Sequence, residues 1–289
     1  MKEFLSPATY VDSDHPAVVA FSRENSKGKA PLERAVSLYY AVRDGIRYNP
    51  FLDFSTDAPF RASQCISSGE GFCVGKAALL AACARAGGVQ ILENVAVTGI
   101  LADKDRVTGV RTARGDIAAE YVVNCAGMWA RSIGRMAGVN VPLQAAEHYY
   151  LISEPVAGVH PLLPILRDPG NAAYIREEAG KIMVGLFEPD ARPWALDGIP
   201  EDFTFGDIPP DWERMVPYIE KAMQRVPVLL ETGIKLLFCG PESFTPDHNY
   251  LMGEAPNLRN FFVAAGFNSL GILSGGGAGH VMAHWIVNG

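Results

Sequence analysis

The sequence predicts an α+β chain, in which a small and mainly helical N-terminal segment precedes a strand-rich remainder. Three observations predict it. Apolar residues recur at helical spacing over Leu32–Val42, and an Ala- and Leu-rich run follows from Cys73 to Ala86. From Val89 onward, short β-branched runs alternate with turn signals. The change of texture at Gly87–Val89 is abrupt, without a Pro/Ser-rich linker, and marks the expected boundary between domains at 1–88 and 89–289.

Taken in order, residues 1–30 are polar and read as loop. Pro31 suits a first helical position. Leu32, Ala35, Val36, Tyr39, Tyr40 and Val42 give that helix one apolar face, and Gly45 ends it. IRYNP reads as a short extended piece and FLDFSTDAPFRAS as loop. The helix from Cys73 stops at Gly87 and Gly88. VQIL, VAVTGIL, RVTGVRTA and AEYVVNCA are strands divided by EN, DKD and RGD. GMWARSIGRMAG is a helix closed by Gly138. HYYLISEP, NAAYIRE and KIMVGLFE are further strands, and DWERMVPYIEKAMQRV is a helix with Asp211 as its N-cap. RNFFVAAG is an apolar strand, FNSLGILSGGGAG a glycine-rich loop, and HVMAHWIVNG a closing helix.

The 289 residues are 48% apolar and 20% charged, an ordinary globular balance. A net charge of -7 and a pI near 5.4 argue against nucleic acid as a partner, because a duplex binder needs a basic face. No apolar run reaches the roughly 18 residues of a membrane span, so no membrane partner is expected. MKEFLSPATYVDSDHP has one Lys and no long apolar core, unlike a secretory signal. Five cysteines without a C-x-x-C pair suggest no disulfide framework, and a cytoplasmic, reducing compartment is expected. His280 and His284 stand four apart, but Val281 replaces the Glu of H-E-x-x-H, so no metal is expected.

Three stretches can carry chemistry. Cys73 heads a helix, where the macrodipole favours a thiolate. A nucleophile also needs a base within reach, and the N-terminal segment offers only His15. A packing cysteine is the alternative. Ala126 and Gly127 follow a strand with small residues that admit a flat ligand or a phosphate. The Gly/Ser stretch from Gly266 to Gly279 would present N–H groups to an anionic or electron-rich group. Glu147 beside His148 reads either as an acid/base pair or as a strand-end ion pair.

LERAVSLYYAVRDGIRYNP followed by GEGFCVGKAALLAACARAGG resembles the first half of a bacterial transglutaminase-like domain. The resemblance makes Cys73 that family's nucleophile. GGVQILEN stands where the family continues with Gly-Ile-Pro-Ala-Arg and the strands bearing its His and Asp. The segment is therefore expected to be truncated.

ENVAVTGI, GVRTARGDIAAEYVVNCAGMWARSIGRMAGVNVPL, EHYYLISEP, YIREEAGKIMVGLFEPDARPW, GPESFTPDHNYLMGEAPNLRNFFVAAGFNS and GGGAG follow one another over 89–289. In that order they resemble the amine-oxidising flavoproteins of the D-amino-acid-oxidase superfamily, of the sarcosine and dimethylglycine dehydrogenase type. The resemblance implies FAD, a mixed FAD-domain sheet, an antiparallel substrate-domain sheet, and a small amine or amino-acid substrate. It places Val97 at the adenine and Cys125, Ala126, Gly127 and Trp129 in a cofactor-binding turn. Asn268, Ser269, Gly271 and Ile272 would border the flavin ring. Tyr150, Tyr174 and Arg176 would line the amine pocket, and the fork of Arg176 suits a substrate carboxylate. A folate-binding domain or an electron acceptor would lie outside this chain.

No G-x-G-x-x-G occurs in the sequence, and the nearest approach is GEGFCV at Gly69. The expectation is a FAD-dependent domain lacking its N-terminal dinucleotide-binding unit, with weak hold on FAD. The alternatives are a cysteine enzyme using Cys73 and a non-catalytic fusion remnant.

Overall fold

The computed structural model describes residues 6–29, 31–49, 52–53, 55–204 and 206–288. Pro50, Phe51 and Phe54, part of the expected extended piece and loop, lie outside the described residues, as do residues 1–5, Ala30, Phe205 and Gly289. In chain order the elements are α1 (Pro16–Asn25), α2 (Pro31–Gly45), β1 (Arg47–Tyr48), α3 (Ala62–Ser68), β2 (Glu70–Gly71) and α4 (Cys73–Ala86). Then come β3 (Val97–Asp103), β4 (Arg106–Thr112), β5 (Gly115–Ala118), β6 (Val122–Asn124), α5 (Ala130–Met136) and β7 (Gln144–Ser153). They are followed by β8 (Leu166–Asp168), β9 (Ala173–Glu178), β10 (Lys181–Leu186), α6 (Trp212–Arg225), β11 (Ile234–Phe244), β12 (Leu251–Ala255), β13 (Leu258–Ala265) and α7 (Gly271–Asn288).

The chain divides into two compact units. The first comprises Met1–Thr98, Thr112–Asp116 and Ile272–Gly289, the second Gly99–Arg111 and Ile117–Gly271.

The core of the first unit gathers Val18, Leu38, Val42, Ile46, Ala62, Cys65, Leu79, Ala82 and Cys83. Residues 16–25, expected as loop, form α1 instead. Pro16 sits at its first position and His15 Nδ1 accepts from the Ala17 N–H at 3.2 Å as the cap, while Val18 is fully buried. VQIL is not a strand. The Val89 N–H donates to the Ala84 carbonyl at 2.9 Å, so it closes the end of α4 and is not free for a ladder. The glycine-rich loop expected before His280 is also corrected, because residues 271–279 lie inside α7. Beyond the first turn their N–H groups are therefore spent within the helix. Gly276 has a packing reason: a Cβ there would stand 1.5 Å from Tyr39 Oη.

The second unit holds most of the chain's sheet. Its antiparallel sheet has the order β11-β7-β10-β9-β8. α6 covers one face and brings Met215, Ile219 and Ala222 onto Tyr149, Leu151, Ile175, Val184, Leu186 and Leu237. Each such fully buried aliphatic side chain stabilises by about 1.5–3 kcal/mol. Asp211 caps α6 as expected, its Oδ1 accepting from the Arg214 N–H at 3.1 Å. The other sheet has the path β12-β13-β4-β3, with β5 on β4 and β6 on β13. It is mixed, since β12 pairs β13 antiparallel while β4 and β6 pair it parallel. The expected strand over 119–126 is shorter, reduced to β6.

α5 packs on the mixed sheet's core through Gly134, where a Cβ would lie 2.5 Å from Val141 Cγ2 and 2.8 Å from the Val139 carbonyl. Gly134→Ala is expected to lower stability by about 1–3 kcal/mol by overpacking. Gly275→Ala meets nothing within 4 Å and is expected to raise it by about 0.5–1 kcal/mol through helix propensity. Urea denaturation midpoints of the two variants check the opposite signs.

Candidate functional site

Strand alternation decides what the antiparallel sheet shows on its face away from α6. On β7, Glu147, Tyr149 and Leu151 are buried, so His148, Tyr150 and Ile152 turn to the other side. On β9, Ala173, Ile175 and Glu177 are buried, so Tyr174, Arg176 and Glu178 share that side. The register then lines up Phe238, Tyr150, Gly185, Tyr174 and Arg167 across all five strands. Tyr150 stacks on Phe238 with centroids 4.7 Å apart. Gly185 lets the Tyr174 ring lie across the sheet, since a Cβ there would stand 1.9 Å from its Cε1. Burial pushes both tyrosine hydroxyls above their ordinary range, and Glu178 adds to the effect. Arg176 and Arg167 pull the Tyr174 hydroxyl back down.

Arg176 stands beside these tyrosines, but its charge is compensated. Its Nη2 pairs with Glu178 on the same strand, and its Nε donates to Met183 Sδ at 3.1 Å. Arg167 lies over the Phe187 ring at 5.5 Å and has no carboxylate partner among the described residues.

Beside this row an open cleft of about 980 Å³ is lined by His148, Phe187, Phe244, Thr245, Asn268 and Leu270, among others. The His148 ring sits 4.9 Å from that of Phe187 and 5.9 Å from that of Phe244. Burial holds its imidazole below the ordinary histidine range, and the Glu242 carboxylate pulls it partly back up.

Two turns belong to the cofactor side of the expectation. β6 and β13 are neighbouring parallel strands, paired Phe261↔Val122 to Val263↔Asn124. Their carboxyl ends therefore open side by side, and that edge is where open α/β sheets bind ligands. After β6, Asn124 Oδ1 accepts from the Ala126 N–H at 3.3 Å and its Nδ2 donates to the Ala130 carbonyl at 2.9 Å. Cys125, Gly127 and Trp129 in this turn are exposed. Gly127 has a φ of +55° and open space where a Cβ would be.

After β13, Asn268 and Ser269 both take left-handed backbone, with φ of +49° and +67°. Neither is glycine, so hydrogen bonds must hold them there. Asn268 Oδ1 accepts from the Thr245 N–H at 2.9 Å, and its Nδ2 donates to the Gly266 carbonyl at 2.7 Å. Glu242 accepts from the Ser269 N–H at 2.9 Å and from its hydroxyl at 2.6 Å.

The remaining expected residues are placed as follows. Gly271 begins α7, and Ile272, in the first unit, is 84% exposed. Val97 is the half-buried first residue of β3, also in the first unit. Cys73 is the half-buried first residue of α4, its thiol has no hydrogen-bond partner among the described residues, and His15 is committed to capping α1. His280 and His284 are exposed on α7, and no metal-ligating group of three exists among the described residues. Glu147 and His148 are not an acid/base pair, since they point to opposite faces. Glu147 binds Arg214 on the α6 side.

The small, open turn after β6 and the pinned turn after β13 suit the close approach of a flat cofactor, and the cleft beside them suits a small substrate. A pyrophosphate cradle is a different matter. The sequence has no G-x-G-x-x-G, and GEGFCV falls on β2 and the start of α4. The residues present fit the ring side of FAD and not its phosphates. Paired parallel strand ends beside an aromatic-faced antiparallel sheet form an arrangement that can set a flat cofactor against a small substrate.

Residues 67–285 match the family model described as FAD dependent oxidoreductase, and the chain belongs to this FAD-dependent family. It is 48% identical over 220 residues to mitochondrial sarcosine dehydrogenase of Homo sapiens, covering 74% of this chain and 24% of that protein. It is 44% identical over 210 residues to 4-methylaminobutanoate oxidase (formaldehyde-forming) of Paenarthrobacter nicotinovorans, covering 73% of this chain and 25% of that protein. The chain thus spans about a quarter of the length of these relatives. Among solved structures it resembles L-proline dehydrogenase from P. horikoshii with a TM-score of 0.61 and 25% identity, covering 73% of this chain and 54% of that one. The family match takes in α4 as well as the strand-rich part.

Sequence reasoning tied His148 to Glu147 and not to the cleft, and it missed Glu242 and Thr245. The period of two along EHYYLIS could have found the first, because Tyr150 two residues on was already expected in the pocket.

Two tests follow from this geometry. Glu242→Ala removes both acceptors of Ser269, so faster hydrogen exchange at the Ser269 amide is expected, with a stability loss of about 1–3 kcal/mol. The depressed pKa of His148 means that below its ordinary value the unfolded chain binds more protons than the folded one. Stability from this group is therefore full above about pH 6.5 and is lost as pH falls toward the folded value. Glu188 has the opposite sign, because burial raises its carboxyl. Thermal unfolding of His148→Gln against the parent, from about pH 7.5 to 5, should show a smaller fall in Tm for the variant.

Proposed function

We propose that this chain is the substrate-side part of a FAD-dependent amine oxidoreductase. Its substrate would be an N-methylated amino acid such as sarcosine or dimethylglycine. The observation that carries the reading is the aromatic row of Phe238, Tyr150 and Tyr174, beside which His148, Phe187 and Phe244 line the cleft together with Asn268 and Leu270. Bound FAD supplies the hydride acceptor for the carbon next to nitrogen.

The chain's own residues bind and orient. Asn268 and Ser269 border the flavin ring, with Gly271 and Ile272 following, and Cys125, Ala126, Gly127 and Trp129 form the other cofactor turn. Val97 would serve the adenine side. The rings of Tyr150 and Tyr174 wall the amine, since an ammonium is favoured against aromatic faces. Their raised hydroxyl pKa values keep both phenols neutral donors. Arg176 offers its fork to the carboxylate, and Glu178 must share it when substrate binds. The electron acceptor or folate-binding domain is a partner outside this chain. Five free cysteines support a reducing, cytoplasmic-type compartment, and among the described residues no helix is long and apolar enough to cross a membrane.

The test is a titration of the full chain with FAD, read by quenching of flavin fluorescence. Sarcosine is then added without oxygen while the flavin band near about 450 nm is followed. Weak, exchangeable FAD binding and amine-dependent bleaching are expected, with slower bleaching in Tyr174→Ala. Absence of quenching at millimolar FAD, or of bleaching once FAD is bound, would overturn the reading.

A further inference from the structure

The cleft carries a cation at the end away from the aromatic row. Arg131, on α5, lines it together with Gln144, Ala146 and His148. The last three are alternate residues of β7, so the cleft runs along that strand from Gln144 to His148. Four residues of strand span about 13 Å.

The half-buried Arg131 guanidinium is positioned but not neutralised. Its Nη1 donates to Gln144 Oε1. The Gln144 amide is fixed in turn, its Nε2 donating to the Ala145 carbonyl at 3.1 Å and to the Trp194 carbonyl at 2.8 Å. A guanidinium holds five N–H donors, and this bond uses one of them. Arg131 has no carboxylate partner among the described residues. Of the acidic residues in the same lining, Glu188 is taken by Arg214 at 2.9 Å and Asp190 makes no ion pair with Arg131. Arg176, beside the tyrosines, is by contrast already paired with Glu178.

We propose that the cleft takes an extended N-methylated amine, with its nitrogen at the aromatic row and a terminal carboxylate on Arg131. This rests on the reading of the site as an amine site and extends its substrate class beyond single amino acids. The side chains at both ends take up part of the strand span, which leaves about 10 Å between nitrogen and carboxylate. Three extended residues cover that distance. The ligand chemistry is therefore a methylammonium and a carboxylate at the two ends of an N-methylated tripeptide or of an ω-methylamino acid of equal length. The fork of an arginine matches a carboxylate in bidentate fashion and stays charged at any working pH. The net charge of -7 disfavours a carboxylate elsewhere on the chain, so a preference for one needs a local cation.

The test reads calorimetric affinities of the full chain at about pH 7.5, where carboxylates are ionised. The probes are sarcosyl-glycyl-glycine, its C-terminal amide, ω-(methylamino)octanoate and sarcosine. The acid peptide is expected to bind about tenfold tighter than its amide, the difference one charge-assisted pair makes, and to shift the Arg131 Nε resonance. Arg131→Met keeps the apolar stem and should erase the preference. Arg131→Lys keeps the charge without the fork and should retain part of it. Arg135→Met, one turn further along α5 and exposed, should leave it unchanged. Octanoate binding as tight as that of the acid peptide assigns the ω-methylamino acid, and weaker binding assigns the peptide. Equal affinity for acid and amide in the parent chain, or an unchanged preference in Arg131→Met, overturns the role of Arg131 and, with sarcosine bound, leaves the amine site standing. Binding of none of the amines removes the amine site and this inference with it.

Discussion

The cleft-side face of the antiparallel sheet depends on one buried ion cluster on the opposite side of the sheet. Arg214, near the start of α6, reaches Glu147 at 2.6 Å, Glu188 at 2.9 Å and the Asp190 carbonyl at 3.1 Å. Tyr149 Oη donates to Glu147 at 2.8 Å, and the Asp211 N–H donates to that same hydroxyl at 3.3 Å. One guanidinium thus ties α6 to β7 and to the segment after β10. Both carboxylates are buried, and removing Arg214 would leave Glu188 without an ion pair among the described residues and Glu147 with only the exposed Arg192 at 3.9 Å. Breaking such a pair typically costs about 3–5 kcal/mol. Because Glu147 and Tyr149 are held on this side, His148 and Tyr150 have to face the other. The orientation of the cleft wall is fixed from behind.

That two-sidedness explains how much of the site could be read in the chain. Tyr150, Tyr174 and Arg176 were named through the family resemblance alone, and the alternation along β7 and β9 is what puts them on one face. His148 shares the alternation, but its acidic neighbour invites a local pairing that the pleat forbids. Glu242 had no such signal. It lies on β11, which was not foreseen as a strand because Gly240 and Pro241 interrupt it. Proline lacks the N–H a central strand needs. β11 tolerates it as an edge strand, with β7 on one side only.

The helices divide along similar lines. α2, α4 and α6 follow spacing and caps that need no tertiary knowledge. α7 does not, since Gly275, Gly276 and Gly277 argue for a loop on propensity alone. Gly276 is the position where Tyr39 presses in, so a tertiary contact requires the residue that local preference disfavours. The mixed sheet was legible as a class, and its parallel β6–β13 pairing was not. That pairing joins segments about 140 residues apart, and short apolar runs carry no record of their partner.

Glu242 links the two halves of the candidate site. Its carboxylate faces His148, and an unshared negative charge at that place would draw a proton onto the imidazole. Both of its oxygens are instead engaged by Ser269, one by the N–H and one by the hydroxyl. A carboxylate that accepts two such bonds has part of its charge offset locally. Burial between Phe187 and Phe244 then outweighs what remains, and the ring stays below its ordinary pKa. The two bonds that hold Ser269 in left-handed backbone therefore also temper the pull of Glu242 on the His148 ring. One side chain serves the turn after β13 and the wall of the cleft.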